Sequence, residues 1–240
     1  MISDIEYDLA DVIIGRPYPF SVGRKRFSLY PVTLAKLFLL KRQIEILGIN
    51  ETLLNINPYM EALRIVEANR EACCLILAYH TAPNTQKDLF DNRAIAIRKN
   101  YFAKEIDNSD LASMMIMVLT SDKTEQYIKH LGIDKEQERL RIVMDIKSKH
   151  DKNTMSFGGK SIFGTFIAQL KEMGYTDDEI LYQKGYSYLR LVQADKINSI
   201  HLTDEERKEV PSSANADFLD ANDPANADKI FASLKARGIG

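Results

Sequence analysis

The chain has 240 residues, 45% of them apolar and 28% charged, with a formal net charge of -2. That length supports one large or two small cores without disulfide or metal staples, and the near-neutral balance gives no bulk attraction for nucleic acid or an anionic membrane. The apolar share is that of a globular protein, so disorder is expected only locally.

The first residues, MISDIEYDLAD, are acidic and lack the positive n-region and apolar stretch of a secretory signal. Apolar runs such as Met114 to Leu119 are far too short to span a bilayer. A soluble cytoplasmic protein is therefore expected. From Asp11 to Pro31 the text DVIIGRPYPFSVGRKRFSLYP places two aromatic and β-branched runs around Gly23-Arg24-Lys25, a hairpin signal. Arg24, Lys25 and Arg26 read as a charged hairpin tip kept in water.

After Pro31 the apolar period changes to 3.6 residues. Leu34, Leu37, Phe38, Ile44 and Leu47 form a helical stripe that Gly48 ends. A second helix follows Pro58 and is apolar nearly all round through Cys73, Cys74, Leu75 and Ile76, which predicts a central core helix broken by His80-Thr81-Ala82-Pro83. The adjacent cysteines point in different directions on such a helix and are expected as reduced, packed thiols. Further helices are expected over 86–105, 110–131 and 135–149, punctuated by Asp107-Asn108-Ser109 and Gly132-Ile133-Asp134. Met114, Met115 and Met117 cover several faces and read as core filling.

A Gly- and polar-rich connection leads to Lys160. Its Gly-Gly-Lys-Ser falls short of a phosphate-binding P-loop, because Thr154 stands where the first glycine is needed and the preceding segment is charged rather than a buried strand. The expected role of Gly158 and Gly159 is to turn the chain into a helix over 161–173 carrying Ile162, Phe163, Phe166, Ile167 and Leu170. Gly164 is expected to allow close packing against Tyr182 or Tyr186. Gly174 reads as the C′ glycine, and Thr176 to Glu179 as a capping box for a helix from Ile180 to about Ile197. The two helices predict an αα-hairpin.

Thr203 to Glu206 makes another capping box, and from Val210 onward the composition predicts a mobile acidic tail. Asp228 to Arg237 is expected as a short docking helix. Asp220 and Asn222 do not complete a calcium loop, since a central glycine and the terminal glutamate are missing. The fold expected is mainly α: a helical bundle with an N-terminal β-hairpin and a C-terminal αα-hairpin, divided as 1–150, 151–202 and 203–240.

No recognisable catalytic motif is present. The sequence lacks a Gly-x-Ser-x-Gly elbow, a His-Glu-x-x-His, a dinucleotide fingerprint and a Cys-x-x-Cys. The four histidines are scattered, and His150-Asp151 is only a two-residue match to metal phosphohydrolase motifs. No catalytic residue, cofactor or metal is expected.

The segment FGGKSIFGTFIAQLKEMGYTDDEILYQKGYSYLRLVQADKINSIHLTDEERK resembles the C-terminal half of tail assembly chaperone-like proteins encoded by tailed phages and prophages of Bacteroidetes. The likeness rests on Phe157 to Gly164, on the turn Gly174 to Thr176, on the aromatic second helix and on Ala194-Asp195. It covers about fifty residues, and Tyr175 and Tyr186 stand where tryptophan is expected. The resemblance implies a non-enzymatic role, binding the tape-measure protein and possibly the tail-tube protein during tail assembly, with homo-oligomerisation left open. It implies client contacts drawn from Phe163, Phe166, Leu170, Tyr175, Leu181, Tyr182, Tyr186, Tyr188 and Leu189, about half of which must pack the hairpin itself. The competing expectation is a structural tail or connector component retained in the virion.

Overall fold

The computed structural model describes residues 4–150 and 160–211, and the architecture is mainly α with one β-hairpin. Gly158-Gly159, Asp151 and the tail from residue 212, including the expected helix 228–237, lie outside the described residues. Residues 4–131 and 160–196 form one compact unit, and 132–150 with 197–211 a second. These units cut the chain elsewhere than composition does. The αα-hairpin belongs with the leading helices because Leu34 and Leu37 complete its apolar cluster.

The first element is α1 (Asp4–Ile14), so Asp11 to Ile14 are helical and not part of the hairpin. Gly15 at φ +64 and Pro17 end this helix. The hairpin proper pairs β1 (Tyr18–Val22) with β2 (Lys25–Leu29), Val22 opposite Lys25. Gly23 takes φ +55 in the turn, and a Cβ there would meet the Tyr101 hydroxyl at 3.2 Å. Phe27 packs edge-on to Phe102 at 4.8 Å between centroids and Tyr101 donates to the Val22 carbonyl at 2.9 Å, which fastens the ribbon to the helices. Lys25 lies over the Tyr101 ring, and Arg24 and Arg26 are exposed.

Helix α2 (Leu34–Leu47) is capped by Thr33 and stopped by Gly48. The short α3 (Glu51–Ile56), which the periodicity did not indicate, leads to α4 (Pro58–His80). Cys73, Cys74, Ile76, Leu77 and Ala78 of α4 are fully buried, and α2, α3, α6 (Asn92–Glu105) and α7 (Asn108–Leu119) pack around it. Both cysteines are free, and burial pushes the Cys73 thiol up to about 12. Non-helical backbone at Asn69 kinks α4.

Two of the long helices expected from periodicity are broken. The 86–105 segment divides into α5 (Gln86–Leu89) and α6, because the Asp91 side chain accepts from Ala94 N–H and starts a new helix. The 110–131 segment divides into α7 and α8 (Thr124–His130) around Thr120 to Lys123. In each case the apolar period runs across the break: the Asp91 cap makes the first, and at the second the Asp122 carboxylate accepts from Thr124 N–H at 3.0 Å.

Carbonyls at the end of α4 are met by cations: Arg98 donates to Thr81 O and Lys36 to Ala82 O, each at 3.0 Å. Arg70 of α4 in turn donates to Ala103 and Ile106 carbonyls at the end of α6. Lys36 is completely buried, and burial, followed by the nearby Arg98 charge, lowers its pKa to about 7. His80 beside it is lowered to about 3 by burial and by Lys36.

The second unit contains α9 (Ile133–His150) and α12 (Asp204–Glu209), joined by Ile146, Val210, Ile142 and Leu202. Val210, assigned to the tail by composition, is therefore a packed residue. Thr203 and Glu206 form the expected capping box; the Glu206 carboxyl, held below the usual range first by the Thr203 N–H, also pairs with Lys147. His150 pairs with Glu209 at 2.7 Å, which gives that histidine a structural partner. No helix among the described residues is long and apolar enough to cross a membrane.

Lys36 makes stability depend on pH. Its folded pKa of about 7 lies below the ordinary lysine value of 10.5, so above about 7 the unfolded chain binds the extra proton and folding gains as pH rises. Thermal unfolding midpoints should rise from about pH 7 to 8.5, and Lys36→Met should flatten that rise while holding its volume. An unchanged slope in the variant would mean that Lys36 is not the group responsible.

Candidate functional site

The αα-hairpin begins with a π-helical segment, Phe163–Ile167, before α10 (Ala168–Glu172). The Thr165 hydroxyl and N–H both engage Ser161 O, at 2.8 and 2.9 Å, fixing the first turn. The end of α10 is a Schellman motif: Tyr175 N–H donates to Leu170 O at 3.1 Å and Gly174 N–H to Lys171 O at 3.0 Å, with Gly174 at φ +93. The expected capping box follows, with Glu179 N–H donating to the Thr176 hydroxyl at 3.3 Å and Thr176 N–H to the Glu179 carboxylate at 3.0 Å. Those Thr176 contacts hold the Glu179 pKa below the usual carboxylate range.

The second helix is not continuous to Ile197. A π-helical segment, Glu179–Gln183, ends at an extended Lys184-Gly185 link, and α11 (Tyr186–Ala194) starts afresh. The cause is tertiary: Tyr186 N–H donates to Val32 O at 2.7 Å, and Gly185 lies against Pro31. Gly164 is exposed. Tyr186 instead meets Phe166, ring centroids 5.6 Å apart.

The nine residues expected to touch a client divide by depth. Phe166, Leu170 and Leu189 are buried with Leu34 and Ile180. Tyr175, Leu181, Tyr186 and Tyr188 are half-buried against that cluster, and Tyr182 packs against the larger core. Phe163 alone of the nine is open, 71% exposed. The Tyr175 and Tyr188 hydroxyls lie 3.1 Å apart, and burial with that hydrogen bond pushes Tyr175 up to about 12, so Tyr175 stays a neutral phenol at ordinary pH. Gln193 bridges the two helices through Thr165 O and Gln169. Arg190 holds the hairpin to α8 by pairing with Glu125 and Asp122.

A second feature escaped the sequence reading. The end of α1 lines a cavity of about 280 Å³ together with Tyr30, Pro31, Asn84, Gly185 and Tyr188. Asn84 donates to Pro31 O at 3.0 Å, yet its buried Oδ1 has no partner. Ile13 and Ile14, which line the cavity, are exposed. The signal available in the sequence was the spacing Ile5, Leu9, Val12 within the acidic N-terminal segment.

No group of three or more His, Cys, Asp or Glu among the described residues is placed to hold a metal ion. No family model, curated protein or solved structure matches this chain.

The two kinds of aromatic and apolar position predict opposite mutant behaviour. Leu170→Ala should cost about 2–5 kcal/mol through a cavity in the hairpin core, whereas Phe163→Ala should change stability by no more than about 0.5 kcal/mol. Denaturant unfolding of both variants checks this, and comparable losses would mean that Phe163 is a packing residue.

Proposed function

We propose that the chain is a non-enzymatic helix-binding protein, a phage tail assembly chaperone that holds the tape-measure protein in the host cytoplasm until tail-tube subunits polymerise around it. The observation that carries this reading is the placement of Phe163. It is the one wide-open aromatic on a hairpin whose other apolar residues are committed to packing, and it opens a π-helical segment, a geometry frequent at functional sites. An aromatic anchor on a firm scaffold is suited to grip the apolar face of an amphipathic helix while leaving most of the contact weak enough to release. The likeness of the Phe157–Lys208 segment to tail assembly chaperones supplies the identity of the client. It also supplies the tail-tube protein as second partner.

Co-expression with the neighbouring tape-measure and tube proteins, followed by pull-down, tests the reading. The wild-type chain should capture the tape measure and be absent from finished particles. Phe163→Asp should lower capture by about tenfold or more at unchanged thermal stability, as expected for an aromatic anchor, and Phe163→Tyr should retain it. Retention in particles at fixed stoichiometry would instead make the chain a structural tail component.

A further inference from the structure

Helix α1 is attached to the first unit in an unusual way. It is 11 residues long and contains no buried residue. Its inward side is a run of half-buried positions, Ile5, Asp8, Leu9 and Val12, at the spacing of one helical face. None of its apolar side chains is part of the cluster around α4 or of the αα-hairpin cluster. Asp8 reaches Lys123 at 2.5 Å, a partly exposed ion pair that fixes the helix against the start of α8, and α1 also lies along α11. The Asp8 carboxylate accordingly raises the pKa of Lys123.

The fit is incomplete where α1 ends. Gly15 and Pro17 stop the helix at the cavity, and Ile13 and Ile14, which line it, stay 58% and 61% exposed. Below them the Asn84 Oδ1 waits for a donor, and its orientation is set because the amide nitrogen is engaged by Pro31. Beyond the apolar track and the Lys123 cation that α1 uses, the surface offers an open apolar end with an acceptor.

We propose that the surface beneath α1 is a docking site for an amphipathic helix of a partner protein, with apolar residues spaced as Ile5, Leu9 and Val12 and a carboxylate at the place of Asp8, and that α1 is its resident occupant in the free chain. A partner helix without the Gly15–Pro17 break continues over the cavity, covers it with apolar side chains and can bring a hydroxyl or amide donor to Asn84. It replaces α1 at small cost, because an 11-residue helix with no buried side chain is marginal by itself. The site is separate from Phe163 and takes from the client reading only the idea that this chain receives helices; its test uses no client.

The probe is a fluorescent peptide with the chain's own residues 4–16, added to the full-length protein and followed by anisotropy. Asp8→Lys in the protein places like charges together at Lys123 and frees the site, so the unaltered peptide should bind this variant about fivefold or more tightly than wild type. The double variant Asp8→Lys, Lys123→Asp should lose that gain. In wild type, amide hydrogen exchange should open α1 well before α4, a measurement that stands even if a variant folds poorly. Equal binding to all three proteins, or α1 amides as protected as those of α4, overturns the proposal. Concentration-dependent dimers in which α1 becomes protected would assign the surface to a second copy and overturn the partner assignment. Failure of tape-measure capture with the peptide results intact would sink the client reading alone.

Discussion

Burial of the last two turns of α4 on all sides is the constraint around which the first unit is organised. A helix with apolar residues round its circumference cannot be left on a surface, so α2, α6 and α7 must enclose it. Enclosure then creates an electrostatic problem, because the carbonyls ending α4 are removed from water along with the side chains. Lys36 and Arg98 answer it from two different helices, and Arg70 provides the same service to α6. The basic groups Lys36, His80 and Arg98 are consequently brought together out of water, and burial first, then their mutual proximity, drives the pKa values of Lys36 and His80 down.

The same enclosure explains the position of the αα-hairpin. Helix α2 spends one side on α4 and presents Leu34 and Leu37 on another, where they join Phe166, Leu170, Ile180 and Leu189. The hairpin therefore behaves as part of the bundle. Its helix break at Lys184-Gly185 follows from the hydrogen bond to Val32 just ahead of α2, and the same irregularity contributes to the cavity beneath α1. A demand made at the core is thus passed outward to the hairpin and to the cavity at the end of α1.

Much of this was legible locally. Caps announce themselves because they are made by residues three or four apart, so the Gly48 stop, the Gly174 Schellman turn and the Thr176 and Thr203 capping boxes could be read directly. The central role of α4 was equally plain from its all-round apolar face. Continuity of the long helices was not: the breaks at Asp91, around Thr120 to Lys123 and at Lys184-Gly185 interrupt an apolar rhythm that carries on across them. Likewise α1 was absorbed into the hairpin, because Val12, Ile13 and Ile14 suit a strand or a helix until Gly15 and Pro17 separate them from β1.

What the sequence by itself determined is the helical class, the single hairpin, the core helix and the local stops, all of which depend on neighbours within a turn or two. Tertiary structure decided which of the nine candidate contact residues remain outside, since each aromatic on an amphipathic helix has the same local pattern whether or not a second element covers it. It also decided the charge state of Lys36, whose neighbours in sequence resemble any surface stripe but whose ammonium is closed off by the end of a helix 46 residues away. The physical reason is common to both: burial depends on what arrives from elsewhere in the chain, and no local period records it.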